Sequence, residues 1–264
     1  MIDKIIYINL KERTDRKEYI EAQLNPLGLE YERFEAVKPS LSDFIPEDGK
    51  YHSFYQKSQI REARYSIYDF LKKPRIEFGG PDFRKYLLGT MGCYLSHYKI
   101  HQMAKANNWG NYLILEDDVK MKEESIPELE QAINRGWFGE DWDIVRSSWL
   151  SNGEMGLKYD YSHPMSNSYT DSCEKKITKK MKFYIDYYSP QKISEFSAYV
   201  SAVYGGTHFQ LIKGSSSGKI LNYLDSEVVI PIDALYSTHK LQSYEFRSKV
   251  LRERSFNSDI HPTH

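Results

Sequence analysis

The first forty residues alternate between apolar segments and charged or turn-forming residues, a pattern that predicts a strand, a helix and a second strand. Residues 4–10 are rich in Ile and Tyr and predict a buried strand. Residues 16–24 carry apolar side chains at helical spacing, and Pro26 and Gly28 end this helix. Residues 31–37 predict the second strand. Two strands separated by one helix indicate a parallel pair with a right-handed crossover.

The same periodicity predicts further strands and helices along the rest of the chain. Helices are predicted at residues 87–105, 125–134 and 219–224, and strands at 112–115, 142–146, 198–204 and 206–212. This order predicts an α/β protein with a Rossmann-type, mostly parallel central sheet flanked by helices. In such sheets, ligands bind beyond the carboxyl ends of the strands.

Two segments without a clear pattern predict variable insertions into a single domain. They span about residues 39–86 and 151–195. We expect one domain over residues 1–242, followed by a C-terminal helix and tail over 243–264. The Gly-Ser-Ser-Ser-Gly run at 214–218 predicts a flexible linker, because it lacks the lysine of a phosphate-binding P-loop.

The predicted strand at 112–115 is followed directly by three carboxylates, Glu116, Asp117 and Asp118. Like charges at one strand end repel each other unless water, a cation or a cationic ligand balances them. The run therefore indicates a divalent metal or a sugar-nucleotide site. The alternative is a solvated turn, or the N-terminal caps of the next helix.

The composition argues against general binding of nucleic acid or membranes, but it does not select one function. The 36 Lys and Arg residues nearly cancel the 37 Asp and Glu residues, so no global field favours nucleic acid or an anionic membrane. The 22 tyrosines suit stacking on sugars and bases, but they could equally fill the core. Cys93 and Cys173 form neither a disulfide framework nor a zinc-binding spacing, which favours a reducing compartment.

The chain shows no targeting segment or membrane span in its sequence. The apolar run at residues 5–10 is too short for a signal peptide, and no window approaches the roughly 20 apolar residues of a transmembrane helix. We therefore expect a cytoplasmic protein without a transmembrane segment of its own.

Four separated segments together resemble glycosyltransferase family 25, the lipooligosaccharide and procollagen galactosyltransferase group. They are YINLKERTDR at residues 7–16, GTMGCYLSH at 89–97, LEDDV at 115–119 and PIDA at 231–234. Each is weak alone, but all occur in the order of the family. The chain departs from the family pattern at residues 38–86, and only loosely follows it at residues 204–208.

The resemblance implies a GT-A-like fold and an inverting, metal-dependent transfer of a hexose, galactose or glucose, from a UDP-sugar. It implies a glycan or glycosylated acceptor, as in lipopolysaccharide biosynthesis, and a location peripheral to a membrane or assembly that carries this acceptor. The acidic run stands in for the Asp-x-Asp motif and would bind Mn²⁺ or Mg²⁺, for which oxygen ligands are suitable. Asp118 and Glu116 are the predicted metal ligands, completed by His208 or His239. In an alternative arrangement Asp118 binds the metal directly, and Glu116 or Asp117 contacts the ribose or a metal-bound water.

The other predicted site residues would bind the donor or act as the base. Asn9, Leu10, Arg13 and Arg16 follow the first strand, where the nucleotide is expected, although the arginines could be surface charge on a helix start. Gly89 and Gly92 would expose backbone amides at a helix start, which favours binding of an anion there. Ser96 and His97 would face the same cleft, or would only cap the helix and pack. Asp233 is the predicted catalytic base, with Asp117 as its rival and helix capping as its alternative role.

Two other functions fit parts of this pattern. A non-catalytic sugar-binding module with the same fold would use the tyrosines and need no metal. A metal-dependent phosphohydrolase would use the same carboxylates, but the sequence shows no second acidic or His cluster at the spacing of a two-metal site. The glycosyltransferase is therefore the leading interpretation.

Overall fold

The computed structural model describes residues 1–40, 81–136, 138–146, 199–200, 207–226, 232–236, 241–246, 251–252 and 256. Most of the predicted insertions at 39–86 and 151–195, and most of the predicted strand at 198–204, lie outside these residues. The domain boundaries predicted from the sequence therefore stay predictions.

The described part of the chain forms a mixed α/β structure in which strands and helices alternate from the N-terminus. The strands are β1 (Ile2–Asn9), β2 (Glu32–Glu35), β3 (Asn111–Glu116), β4 (Val119–Lys120), β5 (Ile144–Arg146), β6 (Tyr199–Val200), β7 (Phe209–Ile212), β8 (Ser243–Phe246) and β9 (Leu251–Arg252). The α-helices are α1 (Thr14–Leu24), α2 (Pro81–Ala106), α3 (Ser125–Asn134), α4 (Ser217–Ser226) and α5 (Ile232–Leu235). Short 3-10 turns cover Asn25–Leu27 and Gly214–Ser216.

Seven of the strands form one sheet in the order β2-β1-β3-β7-β5-β8-β6. The pairs β1–β2, β1–β3 and β5–β8 are parallel, whereas β7 and β6 run antiparallel to their neighbours. Five strands therefore share one direction, which agrees with the predicted mostly parallel sheet. Within this sheet Ile8 pairs with Glu116, so the carboxyl ends of β1 and β3 lie side by side. β4 and β9 form a separate two-stranded ribbon.

Alternate residues of the central strands supply the cores on the two faces of the sheet. Ile6 and Ile114 pack with α2, α4 and α5, whereas Tyr7 and Leu115 pack with α1 and α3. Side chains of a strand alternate between the two faces, so a central strand covered on both sides is apolar at nearly every position. All four of these residues are buried, and each contributes about 1.5–3 kcal/mol of burial free energy on folding.

A polar group lies inside the first of these cores. His101 of α2 is fully buried, with Nδ1 2.7 Å from the Tyr112 hydroxyl and Nε2 hydrogen-bonded to the Tyr236 hydroxyl. Burial and the nearby His97 keep the pKa of His101 well below its usual value. The ring is therefore neutral at physiological pH, with one nitrogen donating and the other accepting.

Three local predictions from the sequence are wrong. α2 begins at Pro81 rather than at residue 87, so Gly89 and Gly92 lie in the helix interior. The segment at 214–218 is a 3-10 turn leading into α4, not a flexible linker, and a Cβ on Gly214 would clash with the Trp109 carbonyl oxygen. The predicted C-terminal helix is absent from the described residues 243–246, which form β8 and extend the sheet beside β5.

Within the described residues, none of the helices combines the length and the apolar character required to cross a membrane.

Candidate functional site

The three carboxylates at the end of β3 point into different surroundings. β3 ends at Glu116, whose side chain contacts residues of α2, whereas Asp117 contacts Arg16 of α1. This follows from strand geometry, because neighbouring side chains of a strand point to opposite faces of the sheet. The acidic run is therefore two separate clusters, which we call the Asp117 cluster and the Glu116 cluster.

The Asp117 cluster consists of Asp117, Asp118, Asn9 and Arg16, and all four residues are at most 6% exposed. Asp117 accepts hydrogen bonds from Asn9 Nδ2 at 2.7 Å and from Arg16 Nη1 at 3.0 Å. The same Arg16 nitrogen lies 3.8 Å from Asp118 Oδ2. Burial raises the pKa of Asp117 to about 6, against the lowering effect of Arg16 and Asn9. A single buried guanidinium thus faces two carboxylates.

The predicted donor-binding residues after β1 form a hydrogen-bonded loop beside this cluster. Asn9 Nδ2 also donates to the Arg13 carbonyl at 3.0 Å. Arg33 donates to Asn9 Oδ1 at 3.1 Å and to the Leu10 carbonyl at 3.4 Å. The Arg13 side chain forms a bidentate pair with Asp15, at 2.9 and 2.7 Å. Arg33 was not predicted, and only its place in the strand next to β1 could have indicated it.

Phe256, near the C-terminus, lies over both arginines of this region. Its ring centroid is 5.3 Å from the Arg16 guanidinium carbon and 5.9 Å from that of Arg13. The Tyr19 ring contacts the same phenyl ring edge-on at 5.1 Å. Close by in sequence, β9 pairs with β4, which directly follows the acidic run. The C-terminal part of the chain therefore packs against the Asp117 cluster.

The Glu116 cluster consists of Glu116, Cys93, His97 and Thr207. Cys93 Sγ lies 3.6 Å from Glu116 Oε1 and 3.7 Å from Thr207 Oγ1. His97 Nε2 lies 4.0 Å from Glu116 Oε1, and the Thr207 hydroxyl donates a short hydrogen bond to the same glutamate oxygen. Burial would raise the pKa of Glu116, but His97, Thr207 and His208 outweigh burial and hold it well below its usual value. Glu116 is therefore ionised at neutral pH.

Three metal-binding side chains meet in this second cluster. Among the described residues, Cys93, His97 and Glu116 are the only group of three His, Cys, Asp or Glu whose donor atoms all lie within 4.8 Å of one another. The predicted metal set of Asp118, Glu116 and His208 is not such a group. His208 is buried and contacts the run through its backbone, since its carbonyl accepts from the Glu116 N–H at 3.0 Å. His239 lies outside the described residues.

Gly92 and Ser96 join α2 to the chain that leaves β2. The Ser96 hydroxyl accepts from the Val37 N–H at 2.9 Å and donates to the Gly92 carbonyl at 2.7 Å. A Cβ on Gly92 would lie 2.5 Å from the Val37 carbonyl oxygen. These contacts give both residues a packing role, the alternative left open by the sequence. Because Gly89 and Gly92 are inside α2, the predicted anion site at a helix start does not exist at these residues.

Asp233, the predicted base, lies in the first turn of α5 on the Glu116 side of the sheet. Its carboxylate is among the charges that raise the pKa of the Cys93 thiol, after burial and Glu116. Its backbone carbonyl accepts a hydrogen bond from Arg146 Nη1 at 3.1 Å. The apolar residues 228–230, which precede it in the sequence, lie outside the described residues.

The structure thus divides the predicted site residues into two groups. Asn9, Leu10, Arg13, Arg16, Asp117 and Asp118 lie together at the ends of β1 and β3. Glu116 lies on the other face, with α2 and Asp233. The sequence analysis missed Thr207 as well as Arg33. It also missed that Cys93 and His97 lie beside Glu116. The four-residue spacing of Cys93 and His97, which places both on one helix face, could have suggested that these two residues act together.

Comparison with known proteins identifies relatives over most of the chain. The family described as "Glycosyltransferase family 25 (LPS biosynthesis protein)" matches residues 2–236. A "Glycosyltransferase 25 family member" of Drosophila melanogaster is 31% identical over 144 residues, which are 54% of this chain and 20% of that protein. "Procollagen galactosyltransferase 1-A" of Xenopus laevis is 27% identical over 144 residues, again 54% of this chain and 20% of that protein.

These relatives are much longer than the region they share with this chain. A "Glycosyltransferase 25 family member" of Anopheles gambiae, for example, is 25% identical over 177 residues, 61% of this chain and 26% of that protein. The chain therefore matches about a fifth to a quarter of the relatives' length. The family match covers far more than half of this chain and includes all four of the sequence segments described above. The chain belongs to glycosyltransferase family 25.

Proposed function

We propose that this chain is an inverting, metal-dependent hexosyltransferase with a GT-A-like fold, which uses a UDP-sugar donor. The observation that carries the proposal is the Asp117 cluster, which lies where the parallel strands β1 and β3 end side by side. The carboxyl ends of parallel strands are where α/β proteins bind their ligands. Membership of the family and the names of the galactosyltransferase relatives support galactose as the first donor sugar to test.

Asp118 fits a hard divalent cation such as Mn²⁺ or Mg²⁺. Its carboxylate is buried at the strand end, and such cations need only one or two protein carboxylates when substrate phosphates supply other oxygen ligands. Glu116 fits this role less well, because it contacts a thiol and an imidazole. When bound, the cation would stabilise the negative charge of the departing diphosphate.

Asp117 and its partners would position the donor rather than react with it. Both oxygens of Asp117 accept hydrogen bonds from Asn9 and Arg16, which fixes the end of β3 against the loop that follows β1. Arg33 holds the same loop through Asn9 and Leu10. A loop held by these side-chain contacts loses little entropy when a nucleotide binds beside it.

Asp233, on the Glu116 side of the sheet, would be the catalytic base, with the acceptor approaching from that side and the diphosphate held on the Asp118 side beyond the strand ends. In a single displacement, the acceptor hydroxyl oxygen bonds to the anomeric carbon while the bond from that carbon to the phosphate oxygen breaks. The electron pair leaves with UDP, and the acceptor proton passes to the Asp233 carboxylate. Proton transfer to a positioned carboxylate contributes about 10²–10⁴ in rate.

The acceptor would be a glycan or a glycosylated molecule, reached from the cytoplasm at a membrane or assembly that carries it. The family description, which names LPS biosynthesis, and the procollagen galactosyltransferase relatives support this acceptor class. The acceptor-binding residues would come from segments outside the described residues.

The test is release of UDP from a panel of UDP-hexoses, with Mn²⁺ or Mg²⁺ and with or without a glycan acceptor. We expect UDP-galactose or UDP-glucose to be hydrolysed slowly without acceptor. Asp118→Asn should lower the rate about 100-fold or more, since the charge stabilisation is worth several kcal/mol. Asp141→Asn is the matched control, because Asp141 is exposed, and it should leave the rate unchanged.

Asp233→Asn should reduce transfer about 10²–10⁴-fold while UDP binding is retained. UDP binding without release of UDP from any donor would contradict the transferase and favour the sugar-binding module.

A further inference from the structure

The Glu116 cluster places three different donor atoms around one point between α2 and the end of β3. The Cys93 thiol, the His97 imidazole and the Glu116 carboxylate converge within 4.8 Å of one another. Two of the pairwise distances are 3.6 Å, from Cys93 Sγ to Glu116 Oε1, and 4.0 Å, from His97 Nε2 to the same oxygen. The donors of a tetrahedral zinc site, at their usual bond lengths, are about 3.4–3.6 Å apart. The cluster therefore needs only small side-chain movements to enclose an ion.

His97 gives the second, independent indication of a ligand. Its side chain is fully buried, and neither ring nitrogen has a hydrogen-bond partner among the described residues. The Tyr236 ring packs against it edge-on at 5.8 Å. His97 Nε2 lies 4.0 Å from Glu116 Oε1, too far for a hydrogen bond, and a buried polar nitrogen without a hydrogen bond costs free energy that coordination of a metal ion would remove.

We propose that Cys93, His97 and Glu116 bind a zinc ion, with a water as the fourth ligand and with Thr207 hydrogen-bonded to the ligating Glu116 oxygen. Sulfur, imidazole and carboxylate are all established zinc ligands, and the thiol makes the set a poor one for Mg²⁺. Cys93 and His97 lie one turn apart on the same face of α2, and Glu116 comes from the neighbouring strand end. Cys93 and Glu116 are both partly exposed, which gives the ion a path from solvent.

This zinc site differs from the cation site proposed at Asp118. The ligands of the zinc site lie on the α2 face of the sheet, whereas the Asp117 cluster lies on the α1 face. A bound zinc ion would link α2 to β3 and fix the Glu116 side chain. Zinc binding should therefore stabilise the fold whether or not the chain transfers sugar.

The test uses the full chain, stripped of metal by a chelator, and measures Zn²⁺ affinity by competition with a chromophoric chelator. We expect one tight site per chain that excess Mg²⁺ does not displace. Cys93→Ser and His97→Gln should weaken Zn²⁺ binding by at least about 100-fold, more than the 10- to 100-fold loss typical of residues that only support a metal ligand. Cys173→Ser, the matched control, should bind Zn²⁺ as tightly as the wild type.

Cobalt(II) spectroscopy of the wild-type chain tests the same site without substitutions of its ligands. Co²⁺ should give the thiolate charge-transfer band and the visible bands of a tetrahedral site, and both should persist in Cys173→Ser and disappear on adding Zn²⁺. Equal Zn²⁺ affinity in wild type and Cys93→Ser would overturn the proposal, as would a cobalt spectrum without a thiolate band. Neither readout depends on glycosyl transfer, so failure of the zinc site and failure of the proposed enzyme activity are distinguishable.

Discussion

Replacing Arg16 by Met should destabilise the protein far more than the same replacement at Arg13. Arg16 is 5% exposed and its Nη1 lies 3.0 Å from Asp117 Oδ1 and 3.8 Å from Asp118 Oδ2. Arg13 forms its ion pair with Asp15, whose side chain is 53% exposed. The two arginines are three residues apart, so the comparison changes one chemical group in two different environments.

The expected cost follows from what each replacement leaves behind. Met at position 16 keeps most of the apolar stem but removes the buried guanidinium that pairs with Asp117 and faces Asp118, which costs about 3–5 kcal/mol. Met at position 13 breaks a solvent-exposed pair, which is worth about 0–1 kcal/mol. The difference between the two variants should therefore be at least about 2 kcal/mol.

Urea denaturation at pH 8, followed by circular dichroism, measures this difference. Removal of Arg16 should raise the pKa of Asp117 further above its unfolded value. A carboxyl group with a raised folded pKa stabilises the fold below its unfolded pKa, and this contribution is lost as pH rises through the folded pKa. The deficit of Arg16→Met should therefore shrink between pH 8 and pH 5. Equal stabilities of the two variants at pH 8 would refute the proposed importance of this buried pair.

Three further predictions concern α2 and the Glu116 cluster. Gly92→Ala should lower the free energy of unfolding by about 1–3 kcal/mol in urea denaturation, because the new Cβ would lie 2.5 Å from the Val37 carbonyl oxygen. Gly218→Ala is the control and should leave the free energy of unfolding unchanged, because the nearest atom to its Cβ is 3.8 Å away. Glu116→Gln should be less stable than the wild type when both are measured in the presence of a chelator. Because the folded protein lowers the pKa of Glu116, this stability difference should be present above pH 4.5 and decline as the pH falls toward 2. A stability difference that does not change with pH would contradict this. His101→Phe should cost about 1–3 kcal/mol by thermal or urea unfolding, since it leaves a buried tyrosine hydroxyl without its partner, and a neutral effect would argue against that network.

Periodicity predicted the elements whose burial pattern is simple. The helix at Ser125–Asn134 was predicted at its observed bounds, and the strand before the acidic run was placed within one residue at each end. The strand is apolar at four consecutive positions because both of its faces are buried, and Ile126, Leu129 and Ala132 of the helix lie at helical spacing on its buried side. The start of α2 was missed because Gly89 and Gly92 look like a helix start in sequence, whereas close packing against Val37 is what requires Gly92.

The candidate site was predicted as one cluster, and the structure contains two. Strand alternation alone could have separated Glu116 from Asp117, because neighbouring residues at the end of a strand face opposite ways. Arg33, Thr207 and Phe256 could not be predicted as parts of the site, since they reach it through strand pairing and chain return over long sequence distances. The tail was predicted to be helical because its charge pattern does not show that Ser243–Phe246 pairs with β5.

The most direct measurement is an anomalous-scattering map from crystals soaked with manganese chloride and uridine diphosphate. If the chain uses Asp118 to hold the cation of its donor, a manganese peak should lie within coordination distance of that carboxylate and of the diphosphate, beside the ends of β1 and β3. Uridine diphosphate bound elsewhere on the sheet, or a manganese peak without contact to Asp118, would contradict the donor site proposed here.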